Sequence, residues 1–262
     1  MSLSELPAAP AALAFTDVSA VRGGRLLWSH ASFTVPTGGI VAVIGPNGSG
    51  KTTLLHIALG LIPPANGQLE VFGHHPGHGN DSIGYVPQHY SASAGEAIRA
   101  ADAVLLGLIG RRWAFGRSTA AQRKLVNRAL AAVEATEIAD RRLSMLSGGQ
   151  RQRIAIATAL VAQPQLLILD EPLASLDLRS QHDIVALLAR LHAELAVTIL
   201  VVAHDLNPLL PILHSAIYLL DGHPHYAPID EVVDDALLSQ LYGTPIQVAR
   251  TPHGEPFMRS TL

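Results

Sequence analysis

A glycine-rich segment carries the strongest chemical signal in the sequence. Residues 45–52 read GPNGSGKT, a pattern in which backbone N–H groups curl around an anion at a helix N-terminus. Lys51 would reach the β- and γ-phosphates of a nucleotide, and Thr52 would ligate magnesium. An ordinary glycine-rich turn is the alternative, but the buried-strand pattern before the segment favours a phosphate loop. The residues expected to bind the phosphates are Gly45, Pro46, Asn47, Gly48, Ser49, Gly50, Lys51, Thr52 and Thr53.

A second signal is a pair of adjacent carboxylates after an apolar run. Residues 166–169 are Leu, Leu, Ile and Leu, and Asp170 and Glu171 follow them. Asp170 at the end of a strand can hold magnesium through its water shell, and Glu171 can accept a proton from an attacking water. A buried strand that ends in an acidic turn is common, so this interpretation depends on the phosphate loop upstream.

A third signal, residues 146–150 (LSGGQ), lies directly before a helical pattern. Ser147 can cap that helix by accepting a hydrogen bond from a backbone N–H two or three residues later. A serine and two glycines at a helix N-terminus can also bind an anion. The second interpretation would give the chain two phosphate-binding segments.

The elements that must position these residues follow an α/β pattern. Continuous apolar runs are typical of parallel strands covered on both faces, and they occur at residues 39–44, 166–169 and 197–203. Helical patterns fit between these strands, at residues 51–61, 150–162 and 178–195.

The flanking segments have different patterns. Apolar and polar residues alternate at 13–19 and 31–35 on either side of a turn at Gly23 and Gly24, which predicts an antiparallel hairpin or edge sheet. Between residues 90 and 144 the strand signal is absent, and a helical insertion is expected. Its predicted helices span residues 94–107 and 120–135. Toward the end of the chain we expect a turn at 221–222, a helix at 230–241 and a short apolar run at 245–249.

One domain is expected to span residues 13–262, after a flexible tail at 1–12. Its catalytic core with the antiparallel part covers residues 13–87 and 160–225. The helical subdomain covers 88–159, and a C-terminal extension covers 226–262.

Composition excludes several classes of function. Lys and Arg number 18 against 21 Asp and Glu, so the formal charge is 18 − 21 = −3 and there is no basic footprint for nucleic acid. The absence of cysteine excludes disulfides and thiolate metal sites. No apolar run reaches the length that spans a bilayer, and residues 1–14 do not form a secretory signal. Charged residues make up only 15%, which suggests that partner subunits cover part of the surface.

These segments together resemble the nucleotide-binding subunit of ATP-binding-cassette (ABC) transporters. Three further motifs carry the resemblance: YVPQ ending at Gln88, SLD at residues 175–177, and VVAHD containing His204. The motifs follow the family's order and spacing over residues 13–225, and LSGGQ separates this family from other phosphate-loop ATPases. The resemblance implies a RecA-like phosphate-loop NTPase core with a parallel sheet, an N-terminal antiparallel β subdomain and an inserted α-helical subdomain.

The resemblance also implies a head-to-tail homodimer with ATP and Mg²⁺ bound between the protomers. Ser147 and Gly149 of one protomer would contact the γ-phosphate held by the other, with Gln150 beside them. Gln88 resembles the residue that senses magnesium and the attacking water. Asp177 resembles the residue that links the two sites, and His204 the switch histidine at the γ-phosphate, although a lone histidine at a strand end is often structural.

One departure from the family pattern concerns adenine. The aromatic residue that usually stacks on the base is replaced by Arg22 or Val21. A guanidinium can stack on a flat ring, but Arg22 is equally consistent with an ordinary exposed turn residue.

Three segments outside the catalytic motifs suggest which solute is transported. Residues 103–123, 205–208 and 241–248 are similar to the ATPases of zinc and manganese importers. We therefore expect a peripheral subunit at the cytoplasmic face of the cell membrane. Its expected partners are permease subunits and, indirectly, a metal-binding solute-binding protein. The expected cargo is zinc, ahead of manganese. An ATPase for another small solute and a soluble non-transport ABC ATPase are the alternatives. A third alternative is a nucleotide-dependent binding switch with negligible hydrolysis, but Glu171 argues against it because a candidate general base is present.

Thirteen histidines invite a metal-binding hypothesis, and His74, His75 and His78 form the densest group. Four glycine and proline residues surround them, so a solvated connector is favoured over a metal-sensing loop.

Overall fold

The computed structural model describes most of the chain. The described residues are 11–77, 82–88, 97–109, 118–251, 254 and 256–260. The third histidine of the dense group, His78, lies outside them.

Six of the described strands form the central sheet, in the order β5-β6-β7-β3-β8-β9. The first five run parallel, and β9 pairs antiparallel with β8 at the edge. The strands are β3 (Ile40–Ile44), β5 (Ile83–Val86), β6 (Leu166–Asp170), β7 (Thr198–Val202), β8 (Ser215–Leu220) and β9 (His223–Pro228). The three apolar runs are confirmed as parallel strands, β3, β6 and β7, and all of their residues are buried.

The apolar runs are continuous because both faces of the sheet are covered. In β3, Ile40, Ala42 and Ile44 pack into one hydrophobic cluster, whereas Val41 and Val43 pack into another on the opposite face. The first cluster includes the helical insertion and the C-terminal helices, and the second includes the antiparallel sheet and the helix after β3.

The three helices predicted between the apolar strands are present. They are α1 (Lys51–Ala58), α4 (Gly148–Leu160) and α5 (Leu178–Leu195). α1 is three residues shorter than expected. α4 begins two residues earlier because Ser147 and Gln150 form a reciprocal capping box, in which each side chain accepts from the other's backbone N–H.

A second sheet, in the order β2-β1-β4, is antiparallel. Its strands are β1 (Ala11–Arg22), β2 (Arg25–Pro36) and β4 (Asn66–Val71). The hairpin around Gly23 and Gly24 is confirmed, but its strands are longer than predicted. β1 begins at Ala11, and the buried Ala12 belongs to this strand rather than to a tail.

The helical insertion contains α2 (Ala100–Ile109) and α3 (Ala120–Ala132). α2 begins later than the predicted 94–107, of which residues 94–96 are not described. Thr119 and Gln122 form a capping box that fixes the start of α3. No strand occurs in the described parts of residues 97–144, as expected.

The predicted helix at 230–241 is wrong as a single element. It is divided into α6 (Ile229–Val232) and α7 (Asp235–Tyr242), because the Asp234 carboxylate accepts from the backbone N–H groups of Ala236 and Leu237 and starts a new helix. β10 (Ile246–Arg250) and β11 (Pro256–Ser260) follow as an antiparallel hairpin.

Among the described residues, no helix is both long and apolar enough to cross a membrane.

Candidate active site: a phosphate loop beside three strand ends

The phosphate loop joins β3 to α1, and its backbone requires glycine. Gly48 and Gly50 have positive φ angles of 77° and 99°. A Cβ on Gly50 would lie 2.8 Å from Nε1 of the buried Trp28. Only a residue without a side chain fits there, so the loop folds tightly over the start of α1.

Lys51 is the first residue of α1, and its ammonium lies under the loop. Nζ donates to the carbonyls of Gly45 at 2.8 Å and Pro46 at 3.0 Å. Burial lowers the pKa of Lys51, while the negative charges of Glu171 and Asp170 act in the opposite direction. The ammonium is therefore partly desolvated and close to the two carboxylates.

Three hydroxyls near Lys51 differ in environment. Thr52 is exposed, whereas Thr53 is 3% exposed and packs within the protein. Ser49 Oγ is buried and has no hydrogen-bond partner among the described residues. This hydroxyl lies in the segment predicted to bind phosphate, where it is available to donate to an anion.

Asp170 is the last residue of β6 and Glu171 follows it; the Asp170 side chain is buried, whereas that of Glu171 is 16% exposed. Asp170 is 4% exposed, and burial raises its pKa, with the charge of Glu171 adding to the increase. His56, Lys51 and His204 act in the opposite direction. Glu171 has a positive φ of 51°.

The predicted catalytic residues Glu171, Gln88 and His204 lie together. Gln88 Nε2 donates to Glu171 Oε2 at 2.6 Å, and His204 Nε2 lies 2.6 Å from Glu171 Oε1. The side chains follow β5, β6 and β7, which are neighbours in the parallel sheet, so their carboxyl ends meet at one edge. A cavity of about 200 Å³ lies beside Glu171 and His204.

Residues 147–150 form a second group with Asp177. Ser147 Oγ accepts from Gln150 N at 3.2 Å, and Gln150 Oε1 accepts from Ser147 N at 3.0 Å. Asp177 caps α5 by accepting from the backbone and hydroxyl of Ser180. A Cβ on Gly149 would lie 3.0 Å from Ser180 Oγ, so the two helix starts are close.

The polar contacts of this second group are separate from those of the first. Among the described residues, no hydrogen bond or ion pair joins residues 147–150 or Asp177 to Lys51, Gln88, Glu171 or His204.

Arg22 lies at the end of β1, exposed and paired in register with Arg25 across the hairpin. Of the histidine group, His74 forms an isolated bridge with Val71, and His75 Nε2 lies 3.3 Å from Gln68 Nε2. Across the described part of the chain, no three His, Asp or Glu side chains form a group able to hold a metal ion.

Sequence reasoning missed contacts that reach the His204 backbone. The Tyr242 hydroxyl donates to the His204 carbonyl at 3.0 Å, and Asn207 forms two hydrogen bonds with Met258. Asn207 and Tyr242 both lie within segments that the sequence singles out, 205–208 and 241–248, but the sequence does not indicate that either side chain supports the His204 loop.

The fold and the phosphate loop define a phosphate-loop ATPase of the α/β class. The sequence profile of the ABC transporter family matches residues 28–174, more than half of the chain. The chain belongs to the ABC transporter family, and it is an ATP-binding and ATP-hydrolysing nucleotide-binding subunit. The predicted fold class and the resemblance are both confirmed.

Relatives carry names that refer to different cargoes. The chain is 39% identical to the "Probable metal transport system ATP-binding protein" of Chlamydia trachomatis, over 70% of this chain and 77% of that protein. It is also 39% identical to the manganese transport system ATP-binding protein MntB of Bacillus subtilis, over 67% and 70%. The sulfate/thiosulfate import ATP-binding protein CysA of Vibrio vulnificus is 35% identical over 87% of this chain and 62% of its own length.

Solved structures show the same fold. A chain of an inward-facing ABC transporter, thought to be of the metal-chelate type, matches with a TM-score of 0.82 and 29% identity over 95% of this chain and 96% of that chain. The cassette MJ0796, a dimer bound to ADP and Pi, matches with a TM-score of 0.69 and 28% identity over 83% and 98%.

Proposed function

We propose that this chain hydrolyses ATP between two protomers and thereby drives the import of a divalent metal cation, zinc ahead of manganese, through a membrane permease. The proposal is carried by the joint placement of Lys51, Gln88, Glu171 and His204 around one site, in a chain whose relatives include metal transport ATPases.

The residues present fit ATP with Mg²⁺. The loop has a lysine ammonium beneath it and an unpartnered Ser49 hydroxyl, which suits a triphosphate. Mg²⁺ commonly uses one or two carboxylates together with substrate phosphates, and Asp170, Thr52 and Gln88 are the residues that would hold it. When bound, Mg²⁺ would neutralise charge that develops on the phosphates.

Glu171 is the proposed general base for the attacking water. Each of its carboxylate oxygens has one donor, Gln88 or His204, and retains a lone pair that can accept a proton. These donors orient the carboxylate, and Lys51 stabilises charge on the γ-phosphate as water attacks in line. The proposed role of His204 also includes contact with the γ-phosphate.

The second copy of the chain supplies the other half of the site. Ser147 Oγ uses its acceptor function in the capping box, so its hydroxyl hydrogen remains able to donate to a phosphate oxygen. Gly149 is the second residue of α4, a helix of 13 residues, and N–H groups in the first turn of a helix have no carbonyl partner within that helix. Because these groups do not meet Lys51 within one chain, we propose that they contact ATP held by the partner, with Gln150 and Asp177 beside the junction.

The chain offers a matched control for this dimer. Ser147 and Thr119 form the same capping box on different helices. Either change to Ala should lower the free energy of unfolding by about 0.5–2 kcal/mol, but only Ser147→Ala should also reduce ATP turnover and ATP-dependent dimerisation. Equal turnover in the two variants would contradict the shared site.

A groove of about 500 Å³ between the core and the helical part is the proposed permease contact. It is lined by residues from the end of α2, the end of α4 and β5, including Leu108, Thr158, Gln163 and Tyr85. Leu106, on the same helix as Leu108, is 50% exposed. Docking there would place the subunit at the cytoplasmic face of the membrane.

The cargo is tested by reconstitution. The chain should be purified with the membrane protein that accompanies it, incorporated into vesicles, and supplied with candidate solute-binding proteins loaded with zinc, manganese or sulfate. Acceleration of ATP turnover by a zinc- or manganese-loaded protein is expected. Acceleration by the sulfate-loaded protein alone would replace the metal assignment with that of a sulfate importer, and the Lys51→Ala chain provides the background rate.

A further inference from the structure

The C-terminal extension contacts the loop that carries His204. We name residues 203–209 the His204 loop; it follows β7 directly. Two parts of the extension, α7 and β11, form hydrogen bonds with it. The extension therefore reaches the main chain of His204 and the side chain of Asn207.

The contact from α7 is made by Tyr242, whose hydroxyl donates to the main-chain carbonyl of His204 at 3.0 Å. α7 is itself fixed in place. Leu238 and Leu241 are 0% and 2% exposed within the main hydrophobic cluster, and Gln240 donates to Asp221 at 2.9 Å. The phenol thus projects from a packed helix, and its hydroxyl can define where the carbonyl lies.

The contact from β11 is made through Asn207. Its side-chain oxygen accepts from Met258 N at 2.7 Å, and its side-chain nitrogen donates to Met258 O at 2.9 Å. The backbone N–H of Asn207 also donates a local hydrogen bond to Asp205 Oδ1 at 2.9 Å. The His204 loop is therefore fixed to the extension at two places three residues apart.

The imidazole of His204 depends on this backbone support. Its side chain is 49% exposed, so packing does not hold it. Among the described residues, Glu171 is the side chain with which it forms an ion pair. Displacement of a catalytic group by about 1 Å can reduce a rate by about a hundredfold.

We infer that Tyr242 and Asn207 are positioning residues, which fix the main chain of the His204 loop and thereby hold the imidazole against Glu171. This inference rests on the proposed role of His204 in hydrolysis. Burial, with the charge of Asp205 adding to it, raises the pKa of Tyr242 to about 12. The hydroxyl therefore remains a donor across the neutral range, and its removal should lower activity by a constant factor over that range.

The test uses the full chain with Tyr242→Phe, which removes one hydroxyl and keeps the ring. Loss of one hydrogen bond should lower kcat about two- to tenfold while KM for ATP is unchanged. Tyr226→Phe, in β9, is the matched control and should retain the wild-type rate. Asn207→Ala, which removes both side-chain hydrogen bonds with Met258, should lower kcat in the same way.

Two further measurements separate positioning from a general structural role. In a His204→Ala background, Tyr242→Phe should cause no additional loss of the residual rate. By NMR, the ring-proton resonances of His204 should shift in Tyr242→Phe and remain unchanged in Tyr226→Phe.

A wild-type kcat in Tyr242→Phe, an equal loss in the His204→Ala background, or unshifted His204 resonances would each overturn the inference. A wild-type rate in His204→Ala would overturn both this inference and the proposed role of His204. A loss in His204→Ala without any loss in Tyr242→Phe would overturn the positioning role alone.

Discussion

The stability of the phosphate loop should depend on the space at Gly50, and the chain provides its own control at Gly48. Both residues have positive φ angles, so an alanine at either position costs about 1–2 kcal/mol of backbone strain. A Cβ at Gly48 meets nothing within 4 Å, whereas one at Gly50 meets Trp28 Nε1 at 2.8 Å and Cδ1 at 2.9 Å.

The contact at Gly50 cannot relax easily, because Trp28 is 1% exposed and lies within β2. Overpacking of this kind costs about 1–3 kcal/mol. Gly50→Ala should therefore lower the free energy of unfolding by about 1–3 kcal/mol more than Gly48→Ala does. It should also weaken ATP binding more, since the clash displaces the residue next to Lys51.

Urea denaturation followed by circular dichroism, with nucleotide titration on the same samples, measures both quantities. If the two alanine variants unfold at the same urea concentration and bind ATP equally, the steric reasoning about the loop is refuted.

Three further outcomes follow from the site. Glu171→Gln should retain ATP, accumulate a closed dimer on size exclusion and reduce turnover by about 10²–10⁴-fold; an ATP-bound monomer with normal turnover would contradict both the base and the dimer. Lys51→Ala should abolish hydrolysis, measured as phosphate release, and a wild-type rate would remove the role of the ammonium. Hydrogen bonds from the Ser180 backbone and hydroxyl hold the pKa of Asp177 below its usual value of 3.8. The stability that the ionised carboxylate contributes is therefore fully present above pH 3.8 and is lost as the pH falls through the lower pKa of the folded state. The difference in thermal midpoint between wild type and Asp177→Asn should therefore shrink below pH 3.8, and a difference that does not change with pH would contradict the capping explanation.

Within the central sheet, the strands that sequence reasoning identified are buried on both faces. β3, β6 and β7 are continuous apolar runs, and each precedes a chemical motif. β5 was missed because it has four residues, one of them Gly84, and glycine weakens a strand pattern. β9 was missed because it contains two prolines, which the structure tolerates at the edge of the sheet.

At the active site, sequence reasoning found the residues that local motifs mark and missed those that depend on long-range packing. Gln88, Glu171 and His204 were identified because short motifs mark them, and the structure places them together. Tyr242 was not identified, because its hydrogen bond joins residues 38 positions apart and depends on how α7 packs. The division of the last helical segment was also missed, although Asp234 is a residue type that commonly begins a helix.

The strand order explains which residues of the proposed site one chain brings together. β5, β6 and β7 are adjacent, and β3 follows β7, so Gln88, Glu171, His204 and the phosphate loop all emerge at the same edge of the sheet. Residues 147–150 are instead placed by α4, whose buried face includes Ile154 and Ile156. The capping box fixes the start of that helix. Among the described residues no hydrogen bond or ion pair joins residues 147–150 to the first group, so the proposed dimer supplies them from a second copy of the chain, and the Ser147 and Thr119 variants test that proposal directly.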